Sequence, residues 1–239
     1  MKRKLLTILL ALAMVLTMLP MTALAADLPD AADGKITLSA DLTTDAAKFN
    51  AALSAGLQEI DLNGKTLTVL RVSGDVNNTV TVPEGKSFKI ANGTILAPDY
   101  PAGDKAVFAA EANATLIMDG VKMNTPGAAL FPAGNASAVT VTNSEITAGT
   151  YVVGTNANGS FSNNVVITLK NSTFTATGWK DNDRDTCTVM INVPGRMDID
   201  NCKIFGGRQV LFVRCGTANV KNSTITMTDP YTDNGKYDH

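Results

Sequence analysis

Apolar residues return along this chain in one short phased pattern, apolar-x-apolar-x-Asn/Gly-x-x-apolar, repeated seven times. Its fifth position, the marker, falls at Gly64, Asn92, Gly120, Asn143, Asn171, Asn201 and Asn222. Successive markers are 28, 28, 23, 28, 30 and 21 residues apart, so each unit is about one coil of a solenoid. Four and two residues before the marker stand Ile60/Leu62, Phe88/Ile90, Leu116/Met118, Val139/Val141, Ile167/Leu169, Met197/Ile199 and Ala218/Val220. A period of two predicts strands with one buried face. Three residues after the marker a further apolar position follows, at Leu67, Ile95, Met123, Ile146, Phe174, Ile204 and Ile225. The odd step of five cannot hold both sides inward on a straight strand. The chain must bend at the marker, where Asn or Gly tolerates a left-handed backbone. An Asn there can also bond to its counterpart one coil away, forming a ladder. A meander of antiparallel hairpins is the competing arrangement, but it calls for paired strands and tight Asn-Gly turns.

Third strands are expected at Val80–Val82, Ala106–Ala109, Ala129–Phe131, Tyr151–Val153, Cys187–Ile191 and Val210–Val213. Three strands per coil with an Asn ladder at the second turn resemble the right-handed parallel β-helix of the pectate-lyase-like superfamily, over roughly Lys35 to the C-terminus. The resemblance implies an all-β, single-stranded parallel β-helix of about seven coils. It does not choose an activity, because that superfamily hosts lyases, hydrolases, adhesins and inert stalks.

The first residues read as an export address. Met-Lys-Arg-Lys precedes an apolar run from Leu5, and Ala23-Leu24-Ala25 fits an A-x-A cleavage site. Residues 1–25 are expected to be a signal peptide and 26–34 a polar linker; an uncleaved anchor is the rival. Residues 35–59 should hold a first strand and one helix, Thr44 to Ala55, with Thr44 as its cap and Ala46, Phe49, Ala52 and Leu53 on one face. Such a helix would cover the open apolar end of a solenoid. The β-helix is then assigned to 60–228 and a polar tail to 229–239. A secreted or cell-surface location follows, with no membrane span after cleavage.

The chain carries 20 basic and 22 acidic residues; loss of Lys2, Arg3 and Lys4 leaves 17 against 22, a net of −5. That balance gives no electrostatic reason to bind nucleic acid. Cys187, Cys202 and Cys215 are three, so at least one thiol is unpaired; alignment on the markers sets Cys187 level with Arg208 and stacks no two cysteines, and buried structural thiols are expected.

Candidate chemistry concentrates in one turn, Trp179-Lys180-Asp181-Asn182-Asp183-Arg184-Asp185. Asp181, Asp183 and Asp185 at alternating positions resemble the start of a Ca²⁺ loop, and Ca²⁺ is the one cofactor the sequence suggests. The loop lacks the glycine and the distant Glu of an EF-hand, so a solvated charged turn competes with a metal site. Trp179, the sole tryptophan, is placed to stack on a sugar ring or to shield a loop. With Lys180, Arg184, Arg208 and Arg214 it forms the expected ligand-binding set. The hydrolase branch of the superfamily is implied to use an Asp-Asp pair and a Gly-His-Gly segment; this chain has no Asp-Asp, and its one histidine is His239. No catalytic residue is assigned. Lys170, Asp200 and Lys221, one residue before successive markers, and Lys122 and Glu145, two after, read as charge stacks that hold register. The expected function is a non-catalytic module for adhesion or for binding polysaccharide or cell-surface glycan. A Ca²⁺-dependent polysaccharide lyase and a structural stalk are the alternatives.

Overall fold

The computed structural model describes residues 25–72, 78–101, 105–155, 163–177, 187–207 and 209–227. Residues 1–24 and 228–239, which hold most of the expected signal peptide and all of the expected tail, lie outside that set. The fold is all-β, dominated by one large parallel sheet curled into a half-barrel, an arrangement compatible with a parallel β-helix.

In chain order, β1 (Lys35–Thr37) and β2 (Leu42–Asp45) lead into α1 (Ala46–Ser54), the one helix among the described residues. Then come β3 (Glu59–Asp61), β4 (Thr66–Leu70), β5 (Val80–Val82) and β6 (Ser87–Leu96). The middle of the chain forms β7 (Ala106–Ala110), β8 (Thr115–Thr125), β9 (Ala128–Pro132), β10 (Ala138–Thr142) and β11 (Glu145–Ala148). The remainder is β12 (Val165–Lys170), β13 (Thr173–Ala176), β14 (Cys187–Ile191), β15 (Gly195–Asp200), β16 (Lys203–Gly206), β17 (Gln209–Val213), β18 (Thr217–Lys221) and β19 (Thr224–Met227). Strands before the marker stack as one arm of the half-barrel and strands after it as the other, joined through β6 and β8, which run through the bend. The third-strand segments form their own parallel pairs, β5-β7-β9 and β14-β17, and Val153 bridges Leu130 to Val189 between them.

Register puts the predicted apolar positions into columns. Leu67, Ile95, Met123, Ile146, Phe174, Ile204 and Ile225 are successive neighbours. So are Ile90, Met118, Val141, Leu169, Ile199 and Val220. All are buried except those of the last repeat. The bend conformation is as the odd step demands: Asn92, Asn143, Asn171, Asn201 and Asn222 have φ of 50–59°, and Gly64 and Gly120 have φ of 74° and 64°.

Three expectations need correcting. In the first repeat, Ile60 pairs with Ile90 rather than with Phe88, while Leu67 pairs with Ile95 as expected. Two extra residues are absorbed there, with both Asn63 and Gly64 left-handed. Leu62 fills the widened corner so tightly that a Cβ on Gly93 would lie 2.5 Å from its Cβ. The helix is capped by Asp45, whose carboxylate accepts from the Lys48 N–H at 2.9 Å, and not by Thr44. Thr44 belongs to β2, where its hydroxyl is buried and donates to the Ala26 carbonyl. Alignment on the markers set Cys187 level with Arg208, but its neighbour is Gln209.

Helix α1 contributes Phe49 to the core, edge-on to Phe88 and Phe108 at 5.6 and 5.9 Å. Its Asn50 amide donates to the Thr79 carbonyl and accepts from the Thr81 N–H, so one side chain serves the edge of β5 as a strand would.

Replacing Phe174, which is fully buried, with Ala should lower unfolding free energy in urea by about 3–5 kcal/mol through the cavity left behind.

Candidate functional site

Polar side chains on the outside of the half-barrel are organised first by the ladder. The Asn171 amide donates to Asn143 Oδ1 at 3.2 Å and the Asn201 amide to Asn171 Oδ1 at 3.0 Å. Carboxylates on the strand before a marker also accept from these amides, Asp119 directly before Gly120, Asp200 directly before Asn201 and Asp61 three residues before Gly64. Asn92 donates to Asp61, Asn143 to Asp119 and Asn222 to Asp200. A second ladder lies one residue after the marker. The Val121 N–H donates to Ser144 Oγ, the Ser144 N–H to Ser172 Oγ and the Cys202 N–H to Ser223 Oγ, each at 3.0 Å. Each hydroxyl then donates to the carbonyl two residues back. The Cys202 thiol occupies one rung of this ladder, donating to the Asp200 carbonyl, and burial pushes its pKa up. This is a structural thiol by position and by protonation.

Among the described residues, Asp119 is the outer-face carboxylate with the most partners. Thr142 and Asn143 donate to its Oδ1 at 2.8 and 2.9 Å, and Lys89 Nζ stands 3.8 Å from its Oδ2. The Thr142 bond, then the Asn143 bond, hold its pKa below the ordinary carboxylate value.

The charge stacks are only partly ionic. Lys122 pairs with Glu145 at 3.6 Å, both well exposed. Lys170, Asp200 and Lys221 are register neighbours, yet among the described residues no ion pair joins them; Asp200 is engaged by Asn222 instead. These three residues line a shallow groove of about 540 Å³ on the outer face of β12, β15 and β18, together with Thr168, Arg196, Asp198 and Asn219. Inside it Arg196 Nε meets Asp198 at 2.7 Å, and the Asn219 amide donates to Asp198 at 2.8 Å. Its carboxylates are thus occupied, while Lys170 and Lys221, two strand spacings (about 9.5 Å) apart, keep free ammonium groups among the described residues. Sequence reading took Lys170, Asp200 and Lys221 as structural and missed Thr168, Arg196, Asp198 and Asn219. The available signal was their alternation on one outer face in three successive repeats.

Of the expected binding set, Trp179, Lys180, Arg184 and Arg208 lie outside the described residues, as do Asp181, Asp183 and Asp185. Arg214 is described. Its guanidinium sits over the Phe212 ring, 5.3 Å from the centroid, a cation–π contact on the residue following β17. Because Cys187 pairs with Gln209 and Ile191 with Val213, Arg214 stands at the far end of β17 from where the 178–186 segment enters β14. The separation along the strand is about 16 Å. Among the described residues no group of three His, Cys, Asp or Glu is arranged to hold a metal, and no described helix is long and apolar enough to cross a membrane.

Comparison of the chain with protein-family profiles, with characterised proteins and with solved structures finds no match.

Asp119, depressed in the folded state, stabilises the fold above the usual carboxylate range, and that contribution is lost as pH falls through its lowered pKa. Asp119→Asn should therefore lower stability near neutrality, converge with the unaltered protein at low pH, and so flatten the acid limb of a stability-against-pH curve. A limb identical to that of the unaltered protein would show that Asp119 carries none of it.

Proposed function

We propose that this chain is an exported right-handed parallel β-helix of about seven coils, of the pectate-lyase-like kind, with α1 closing its N-terminal end. It acts as a secreted or cell-surface, non-catalytic module that binds polysaccharide or cell-surface glycan.

The observation that carries this reading is how the outer-face acids are used. Asp119, Asp198 and Asp200 each accept hydrogen bonds from neighbouring rungs, and Asp119 is shifted toward the ionised form. A general acid for glycosidic cleavage needs the opposite, a carboxyl held protonated near neutral pH. The groove beside them offers two uncommitted ammonium groups, a hydroxyl and an amide in a line across parallel strands. Such a surface suits hydroxyl-rich or acidic chains laid across the strands, at modest cost to the fold. The Trp179–Asp185 turn, with Arg208 and Arg214, is proposed as a second contact for the same class of ligand, with Ca²⁺ bridging Asp181, Asp183 and Asp185 to sugar acids.

Glycan-array binding with and without Ca²⁺ tests the reading, and ultraviolet absorbance of unsaturated product from uronate polymers tests the lyase alternative. Binding without product is expected. Trp179→Ala, and the triple change of Asp181, Asp183 and Asp185 to Asn, should each weaken binding about tenfold or more while leaving thermal stability nearly unchanged. Undiminished binding in both variants, with no Ca²⁺ uptake by calorimetry, would remove that turn; accumulation of unsaturated product would replace the binder with a lyase.

A further inference from the structure

Lys35, Lys89 and Lys122 on the outer face each meet an acid on the adjoining strand, at 3.1, 3.8 and 3.6 Å. Lys170 and Lys221 do not. They flank Asp200 in register, one strand to either side, and among the described residues neither forms an ion pair with it. The Asn222 amide holds Asp200 at 2.9 Å, while Arg196 and Asn219 hold Asp198 two residues away. Along the stack, one column of the groove therefore runs positive, negative, positive over β12, β15 and β18. Thr168, Asp198 and Asn219 run beside it in the next outward column. Alternation with the inward positions Leu169, Ile199 and Val220 turns these side chains to the side of the stack, so the pattern does not depend on what covers the stack's end.

A polymer laid across the strands meets this pattern at the strand spacing of about 4.8 Å. A pyranose in an extended polysaccharide advances by nearly the same length, so one sugar falls over each strand. Lys170 and Lys221 then stand under two sugars separated by one other, and Asp198 and Asp200 stand under the sugar between them.

We propose, resting on the glycan-binding reading above, that this groove selects an acidic polysaccharide whose negative groups recur at every second sugar. Lys170 and Lys221 each take one acid group, and Asp198 and Asp200 face the neutral sugar between. The carboxylates supply the selectivity. A polymer acidic at every sugar sets one of its acids against Asp200, a like-charge contact that the neutral Asn222 amide does not offset. A neutral sugar in that place brings hydroxyl donors to the lone pairs that Asp198 and Asp200 still have. A wholly neutral polymer suits the middle strand but leaves both ammonium groups without a counter-charge. Alternation in the ligand thus answers alternation in the protein.

Calorimetry on the full chain with three oligosaccharides of matched length tests this. The probes are hyaluronate fragments, in which a uronate alternates with a neutral N-acetylated sugar, oligogalacturonate, acidic at every sugar, and neutral cello-oligosaccharide. Hyaluronate should bind about tenfold more tightly than either of the others, and less tightly as salt is raised. Lys170→Gln and Lys221→Gln should each weaken hyaluronate binding about fivefold, with melting little changed because both side chains are exposed. Asp200→Asn should raise affinity for oligogalacturonate about threefold or more and so narrow the preference. Lys122→Gln, on the other arm of the sheet, should leave all three affinities as they were. Oligogalacturonate or cello-oligosaccharide binding as tightly as hyaluronate would overturn the proposed selectivity and leave the glycan-binding reading standing. So would hyaluronate binding that either lysine variant leaves intact, or a preference that Asp200→Asn does not narrow. Failure of all three probes here, together with an array on which no glycan binds, would overturn both.

Discussion

Everything in this molecule hangs on one backbone conformation, the left-handed residue at the marker. Without it, apolar residues at minus two and plus three would point to opposite faces of a straight strand, and one of the two columns would face water. With it, the sheet folds along a line of bends and both arms deliver their side chains to one interior. The repeat therefore needs residues that accept positive φ cheaply, and Asn accomplishes this while supplying an amide. The amide in turn needs an acceptor at strand spacing, and the neighbouring marker or a carboxylate just before it provides one. A conformational requirement and a hydrogen-bonding requirement are met by the same residue.

The second ladder follows from the first. Once the marker turns the chain, the next side chain lies inside the corner, buried at Ser144, Ser172 and Cys202 and half-buried at Ser223. Ser144, Ser172 and Ser223 each accept one backbone N–H and return a proton to the carbonyl two residues back, so the corner is closed without an unsatisfied group. Sulfur does the same at Cys202 with a longer bond.

Columns were the legible part of this chain, because a strict period-two pattern with a fixed bend leaves few registers that bury Phe88, Leu169 and Phe174 together. The slip in the first repeat was hidden: Asn63 and Gly64 both suit a left-handed bend, and nothing local says the corner uses both. Thr44 looked like a helix cap because a Thr before an amphipathic stretch usually is one; its burial beneath Ala26 is a tertiary contact that propensity cannot see. The hydroxyl ladder had a visible signature in Asn-Ser, Asn-Ser, Asn-Cys and Asn-Ser at four successive markers, which turn chemistry alone masked. The groove was legible only in part. Its lysines stood in an evident column, but that Asn222 rather than a lysine would take Asp200 depends on side-chain reach across a bend. Most of the expected binding turn belongs to an irregular segment, where no periodicity constrains the chain.

The fixed step also governs how far the chain must reach to find itself. Each pairing of parallel strands joins residues one repeat apart, 21 to 30 positions along the sequence, and the bridge from Val153 to Val189 spans 36. The entropy of closing such a loop grows only with the logarithm of its length, so every rung faces nearly the same small search. A chain with twice as many repeats would need no longer-range encounter than this one, and assembly can begin at any rung and spread to its neighbours. Length, in such an architecture, is kinetically almost free.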